Sequence, residues 1–462
     1  MISYIEILNK SYYEGELVSA DDFNMRVWKV ASKIVKEYKI KYDPENIIPC
    51  DNTLADDVFN AGLELFLELG VYNISSQRVI RIDESDVKEY LKNVRDEITI
   101  GAGKETRILR KREVEDTRPP MILGGVIEGN PEEGEPFIKL YETIAREPLI
   151  DGIYFGPPTV IKGVTIVHDS PLEVIAAANA VKWIKDSLQR VNRPGLHLIS
   201  AQPSAIGDMT AFGIENGLTK TDAIAIPIIS EMKTDNAQLS KVAYALENDI
   251  IPNPYRVPMV GGFAGGPEGT ALVGVASLFM ALIIYQGYKG YINFDVIRVM
   301  PPGSTAREAL WVRSIVGQAT QRNTKAISGA GLVTYAGPGT EMMFYEIAAG
   351  TITHTVSGFH VMHGVRKTKL TKPNQCSGLE AKWEAEVAYA STKLKREEAN
   401  EIVKILLKKY EDKIRDAPEG LTFGEIYDWK TLKIKPQVYE TYIKIKKELA
   451  DLGLDFSIVE SE

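Results

Sequence analysis

Four carboxyl groups and three phenols fall where apolar β-runs give way to turns: Glu128, Glu231, Asp295 and Glu341, with Tyr154, Tyr255 and Tyr335. A carboxyl or phenol buried at such a position suits general acid chemistry, because desolvation penalises its charged form and raises its pKa. The plainer role for each is a helix cap or a solvated charge. The histidines are His168, His197, His354, His360 and His363. His360 and His363 stand three apart, a spacing that presents two metal ligands on one face only in a helix, and a third ligand such as Glu341 would be needed. HExxH is absent, so hydrogen-bonded histidines and no metal are expected.

Glycine-rich breaks accompany the acids: GGFAGG at 261–266, GSTAREA at 303–309 and AGPGTEM at 336–342. Each drops its side chains where the chain leaves a strand, and an acceptor suited to a helix N-terminus follows. Walker A is absent, and no GxGxxG joins a first strand to a helix, which argues against a nucleotide-binding fold. Barrel-rim loops of this kind admit a bulky ligand close to backbone N–H groups.

These residues need a scaffold, and the chain is long enough to build one. Its 462 residues are 44% hydrophobic, whereas an eightfold α/β barrel needs about 250. Eight strands are expected to start near Met121, Gly152, Leu196, Ala223, Val257, Ile292, Lys325 and Thr351, mostly followed by helical patterns such as that at 172–188. Near-continuous apolar runs imply strands buried on both faces. The fold class is therefore α/β, an eight-stranded (β/α) TIM barrel with N-terminal and C-terminal helical extensions. The expected divisions are 1–117 (helices and a hairpin across 98–114), 118–370 (the barrel) and 371–462 (helices packed on it). A net charge of −9 argues against nucleic acid as a partner. Two cysteines, an opening without a basic-apolar leader and no apolar run of membrane-spanning length point to a soluble cytoplasmic protein.

The glycine-rich blocks, with LRKR at 109–112, RPG at 193–195, GLEA at 378–381 and LGL at 452–454, resemble the monomethylamine methyltransferases of methanogenic archaea. The likeness covers nearly the whole chain. It implies an eightfold barrel in a homo-oligomer that moves a methyl group from a methylated amine to the Co(I) corrinoid of a small partner protein. It also implies that the chain binds no cofactor itself, the corrinoid being supplied by the partner.

One departure stands out. Family members acting on methylamine carry pyrrolysine, an imine electrophile, shortly after the Arg-Pro-Gly segment. That position falls at Ile199, or within Ile199 to Gln202, where no pyrrolysine is written. The family's glutamate facing it falls at Tyr255, and its glutamine and tyrosine partners fall at Gly331 and Val333. The resemblance thus implies a rebuilt substrate pocket at Ile199, Gln202, Gly331 and Val333, with a methylated substrate other than monomethylamine. Glu231, Tyr255 and Tyr335 are the expected catalytic residues: Tyr255 facing a cation through its ring, Tyr335 or Glu231 orienting or protonating the leaving group. The alternative is a catalytically silent barrel that binds a corrinoid protein or a small ligand.

Overall fold

A computed structural model describes residues 1–126 and 131–460. Eight parallel strands close into a barrel in chain order: β1 Met121–Val126, β2 Gly152–Phe155, β3 His197–Ser200, β4 Ala223–Pro227, β5 Ile251–Arg256, β6 Ile292–Phe294, β7 Ser328–Thr334 and β8 Val361–Lys367. A helix follows each: α1 Glu135–Ala145, α2 Pro171–Arg190, α3 Ala205–Gly213, α4 Asn236–Glu247, α5 Pro267–Ile283, α6 Arg307–Asn323, α7 Glu341–Val356 and α8 Gly378–Ala390.

Two expected strands needed correction. The run starting at Thr351 is the second half of α7, and the eighth strand begins ten residues later at Val361. Every residue of α7 from Met342 to Val356 is buried, because the helix is sandwiched between the barrel wall and the C-terminal helix Arg396–Tyr410. A helix covered all round loses its polar stripe and reads as an apolar β-run. The fifth strand lies at Ile251–Arg256 instead of starting at Val257. Pro252 and Pro254 disguise it, since proline is rare in a central strand.

The same sandwiching explains α5, buried from Gly269 to Ile283. The N-terminal helix Asn52–Leu69 lies over it, with Phe59 and Phe66 against Phe279 at ring separations of 5.5 and 5.7 Å. Among the described residues, no helix is long and apolar enough to cross a membrane.

An antiparallel hairpin, Glu97–Ile100 with Arg107–Arg110, closes the barrel's N-terminal end. Its Ile98, Ile100 and Leu109 pack with Leu123, Ile199, Ala223, Tyr291, Ile327 and Val361 from the barrel strands. This apolar plug seals one end and leaves the other, where chemistry sits in such barrels, as the entrance. Replacing the fully buried Ile100 with alanine should cost about 2–5 kcal/mol in urea unfolding, with the slope unchanged. A loss under about 0.5 kcal/mol would mean the plug carries little of the barrel's stability.

Candidate active site

Above the plug the barrel interior turns polar in layers. Strand alternation points Asn253 and Tyr255 of β5 inward and sends Arg256 out to the carbonyl of Gly274 in α5, 2.6 Å away. In the middle layer the Asn293 amide donates to the Tyr154 hydroxyl oxygen, and Tyr154 donates to Asn253 Oδ1. Asn293 Nδ2 also donates to Asn253 Oδ1 at 2.8 Å. His363 of β8 sits beside these groups, its ring 5.4 Å from that of Tyr154 and 5.3 Å from that of Tyr255. Burial holds its imidazole neutral, with a pKa pushed down to about 3.

The top layer is built on an ion pair. Asp295, just past β6, pairs through Oδ1 with Arg313, which reaches inward from α6. Asp295 Oδ1 also accepts from the Val296 amide at 3.0 Å, and its Oδ2 accepts from the Tyr255 hydroxyl at 2.8 Å. Arg313 is fully buried and donates to the Gly331 carbonyl at 2.6 Å. It also meets His354 Nε2 at 2.8 Å. Burial, then the Arg313 charge, keep His354 far below its usual pKa, so its ring nitrogen accepts from the guanidinium.

Two spaces meet at this layer, and Tyr255 and Arg366 line both. The inner one, bounded also by Asp295, Gly331 and His363, has about 10 Å³, room for one water. The outer one is a mouth cavity of about 670 Å³ with prolines 131, 157, 158, 203 and 227 in its walls. A bulge in β8 brings Arg366 to both. Gly364 has φ of +98°, the register against β7 shifts there, and the inward-facing set passes from Val361 and His363 to Arg366 instead of Val365. A side chain at 364 would both strain that backbone and strike the Gly125 carbonyl at 2.7 Å.

The expected site residues divide between this floor and its surroundings. Tyr255 is in the floor, Gly331 lines the inner space and Gln202 lines the mouth. Ile199 lies a layer lower, packed with Tyr154, Ala223 and Ala225, and Ala201 lines the mouth beside Gln202. Val333 lines neither space, and its amide and carbonyl both bond to Ser304, at 2.7 and 2.8 Å. Glu231 is buried beneath the 261–266 loop, where Oε2 accepts the Ala264 amide at 2.7 Å. Burial raises its pKa to about 7, against the lowering by the Ala264 and Met259 amides. Tyr335 packs its ring on Gly303, with the Arg298 guanidinium 5.9 Å from the ring centre. Burial raises its pKa also. Neither lines the two spaces.

Glu341 is exposed and paired with Lys444 at 2.6 Å, and Glu128 lies outside the described residues. The possible metal pair comes apart. His360 precedes β8 and accepts the Ser328 amide at 3.0 Å, while His363 faces the barrel interior. No group of three His, Cys, Asp or Glu able to hold a metal occurs among the described residues. Sequence reasoning missed Arg313 and Arg366. Their signal was faint: single cations in runs otherwise destined for burial, VRSIVG in α6 and VMHGVR in β8.

The sequence profile described as monomethylamine methyltransferase MtmB matches residues 3–454. The chain belongs to the MtmB family. It is 31% identical over 445 residues to monomethylamine methyltransferase MtmB2 of Methanosarcina acetivorans, covering 96% of each chain. The same figures hold for MtmB1 of Methanosarcina barkeri. The crystal structure of Methanosarcina barkeri MtmB superposes with a TM-score of 0.93 at 29% identity over 98% of each chain, as does a hydroxylamine complex of MtmB. The barrel described above is thus the MtmB fold, and the chain is a homologue of methylamine methyltransferases.

Glu231 gives this site a pH signature. Its folded pKa, about 7, lies above the ordinary 4.5. The stability it contributes is therefore present below about pH 4.5 and is lost as pH rises through 7. Relative to Glu231→Gln, the wild-type protein should lose on the order of 1–3 kcal/mol between pH 5 and pH 8 in chemical unfolding. Parallel curves for the two proteins would show that the carboxyl is not held protonated under the loop.

Proposed function

We propose that this protein transfers a methyl group from a methylated amine, or a related methylated small molecule, to the Co(I) corrinoid of a small partner protein, and does so without pyrrolysine. Family membership supports the reaction class. The observation that carries the rest is the Tyr255–Asp295–Arg313 floor beneath an open mouth cavity.

The segment 199–202 reads Ile-Ser-Ala-Gln, which offers an aliphatic chain, a hydroxyl, a methyl and an amide. None is an electrophile that could take up an amine. Without one, a neutral amine is a poor leaving group, whereas a cationic nitrogen departs as a neutral amine. Tyr255 suits that task. Its proton is engaged by Asp295, so its oxygen turns acceptor character, and its ring a π-face, towards the substrate. The carboxylate behind it orients the phenol, and Arg313 fixes the carboxylate.

The partner's corrinoid is then the methyl acceptor, a second substrate approaching through the mouth. The protein's own contribution is alignment of the methyl group for in-line displacement, a class of effect worth up to roughly 7–11 kcal/mol when both reactants are held. Glu231 and Tyr335 serve by holding the glycine-rich rim loops in this reading. Glu231 binds the 261–266 loop and Tyr335 packs on the 303 turn.

The test mixes the protein with a Co(I) corrinoid protein and a panel of methylated amines, betaines and sulfonium compounds. Conversion to methyl-Co(III) with one donor is expected. Tyr255→Phe should lower kcat/KM for that donor by roughly 10²-fold in a protein that stays folded, its Tm lowered only by the lost bond to Asp295. A spectrum unchanged with every donor would favour the silent binding barrel, and an unimpaired Tyr255→Phe would remove the floor from the mechanism.

A further inference from the structure

We infer that His363 is a specificity-determining residue whose Nε2 reads a hydrogen on the substrate nitrogen, so that the methyl donor is an ammonium keeping at least one N–H. This rests on the methyl-transfer reading above.

The space His363 occupies exists because residue 331 has no side chain. A Cβ at Gly331 would lie 2.5 Å from the His363 ring carbon Cε1 and 3.1 Å from Nε2. The imidazole therefore fills the volume that a longer side chain at 331 would claim. It is 4% exposed and lines the inner space beside Tyr255 and Asp295. Its Nε2 has no hydrogen-bond partner in the protein. With the proton of the neutral ring on Nδ1, Nε2 is an acceptor.

A buried acceptor without a donor is costly, and one water fits between it and the mouth. Gln202, 3% exposed on the mouth wall, has both amide atoms unpartnered as well. The floor is thus supplied with acceptors that an N–H satisfies, directly or through that water.

It is poorly supplied for a fully alkylated cation. Such cations are held by several aromatic faces, and Tyr255 is the one phenol or phenyl ring among the described residues lining the mouth. The charge of Asp295 is already matched by Arg313. Recognition therefore rests on directional hydrogen bonds. Sites of that kind reject analogues lacking the hydrogen far more strongly than apolar pockets reject an extra methyl. The chemistry balances with such a donor. The C–N bond breaks with its electron pair left on nitrogen, cobalt's pair forms the new bond to carbon, and the amine leaves neutral with the hydrogens it brought.

Trimethylammonium and tetramethylammonium differ by one N–H and test this directly in NMR titrations of the full chain at neutral pH. The wild-type protein should bind trimethylammonium at least about tenfold more tightly. His363→Phe, which keeps the ring and removes the acceptor, should bring the ratio to within about threefold, and His363→Gln should restore it. A purely structural histidine would shift both affinities together and leave the ratio alone. Equal wild-type affinities, no binding of either ion, or a ratio that survives His363→Phe would overturn the inference. A ratio that behaves as expected while no donor ever methylates Co(I) would instead overturn the methyl-transfer reading.

Discussion

The site depends on one buried ion pair. Asp295 and Arg313 are both shut away from water, and neither could stay charged there alone, since an uncompensated buried charge costs several kcal/mol. Each is bound further. Asp295 holds the Tyr255 hydroxyl and its neighbour's amide, while Arg313 holds the Gly331 carbonyl and His354. The pair thereby ties β5, β6, β7, α6 and α7 to one point beneath the mouth. Tyr255 is oriented because Asp295 is, and Asp295 is oriented because a helix outside the barrel reaches through the wall to hold it.

Everything below and above that point can be read as a gradient of polarity. A hairpin supplies the hydrocarbon that seals the N-terminal end, an amide–phenol ladder fills the middle and the ion pair forms the top. Outside, extra helices cover α5 and α7 so fully that those helices lose their amphipathic character. The extensions are thus part of the mechanism of stability: they let the barrel surround a charged layer with two apolar shells.

The barrel itself was legible in the sequence because parallel strands buried on both faces leave long apolar runs. Six of the eight strands lay within a few residues of their expected starts. Thr351–Val356 misled because a helix buried on every side has no 3.6-residue stripe to read, and Pro252 and Pro254 hid β5. Of the site, Tyr255, Asp295, Gln202 and Gly331 could be found from strand ends and from family resemblance. Arg313 could not, because nothing in a helix's own sequence says that one of its cations passes through a neighbouring sheet. Arg366 was concealed by a bulge that inverts strand alternation. Glu231 binds a rim-loop amide and Tyr335 packs its ring on the 303 turn, and neither lines the two spaces.

The central claim is that substrate chemistry takes place on the Tyr255–Asp295 floor. A crystal structure of the protein with a bound methylated amine tests it most directly. The account predicts the donor nitrogen within hydrogen-bonding distance of Tyr255, its methyl group directed out through the mouth. A donor held elsewhere in a protein that still transfers its methyl, with the floor filled only by water, would contradict it.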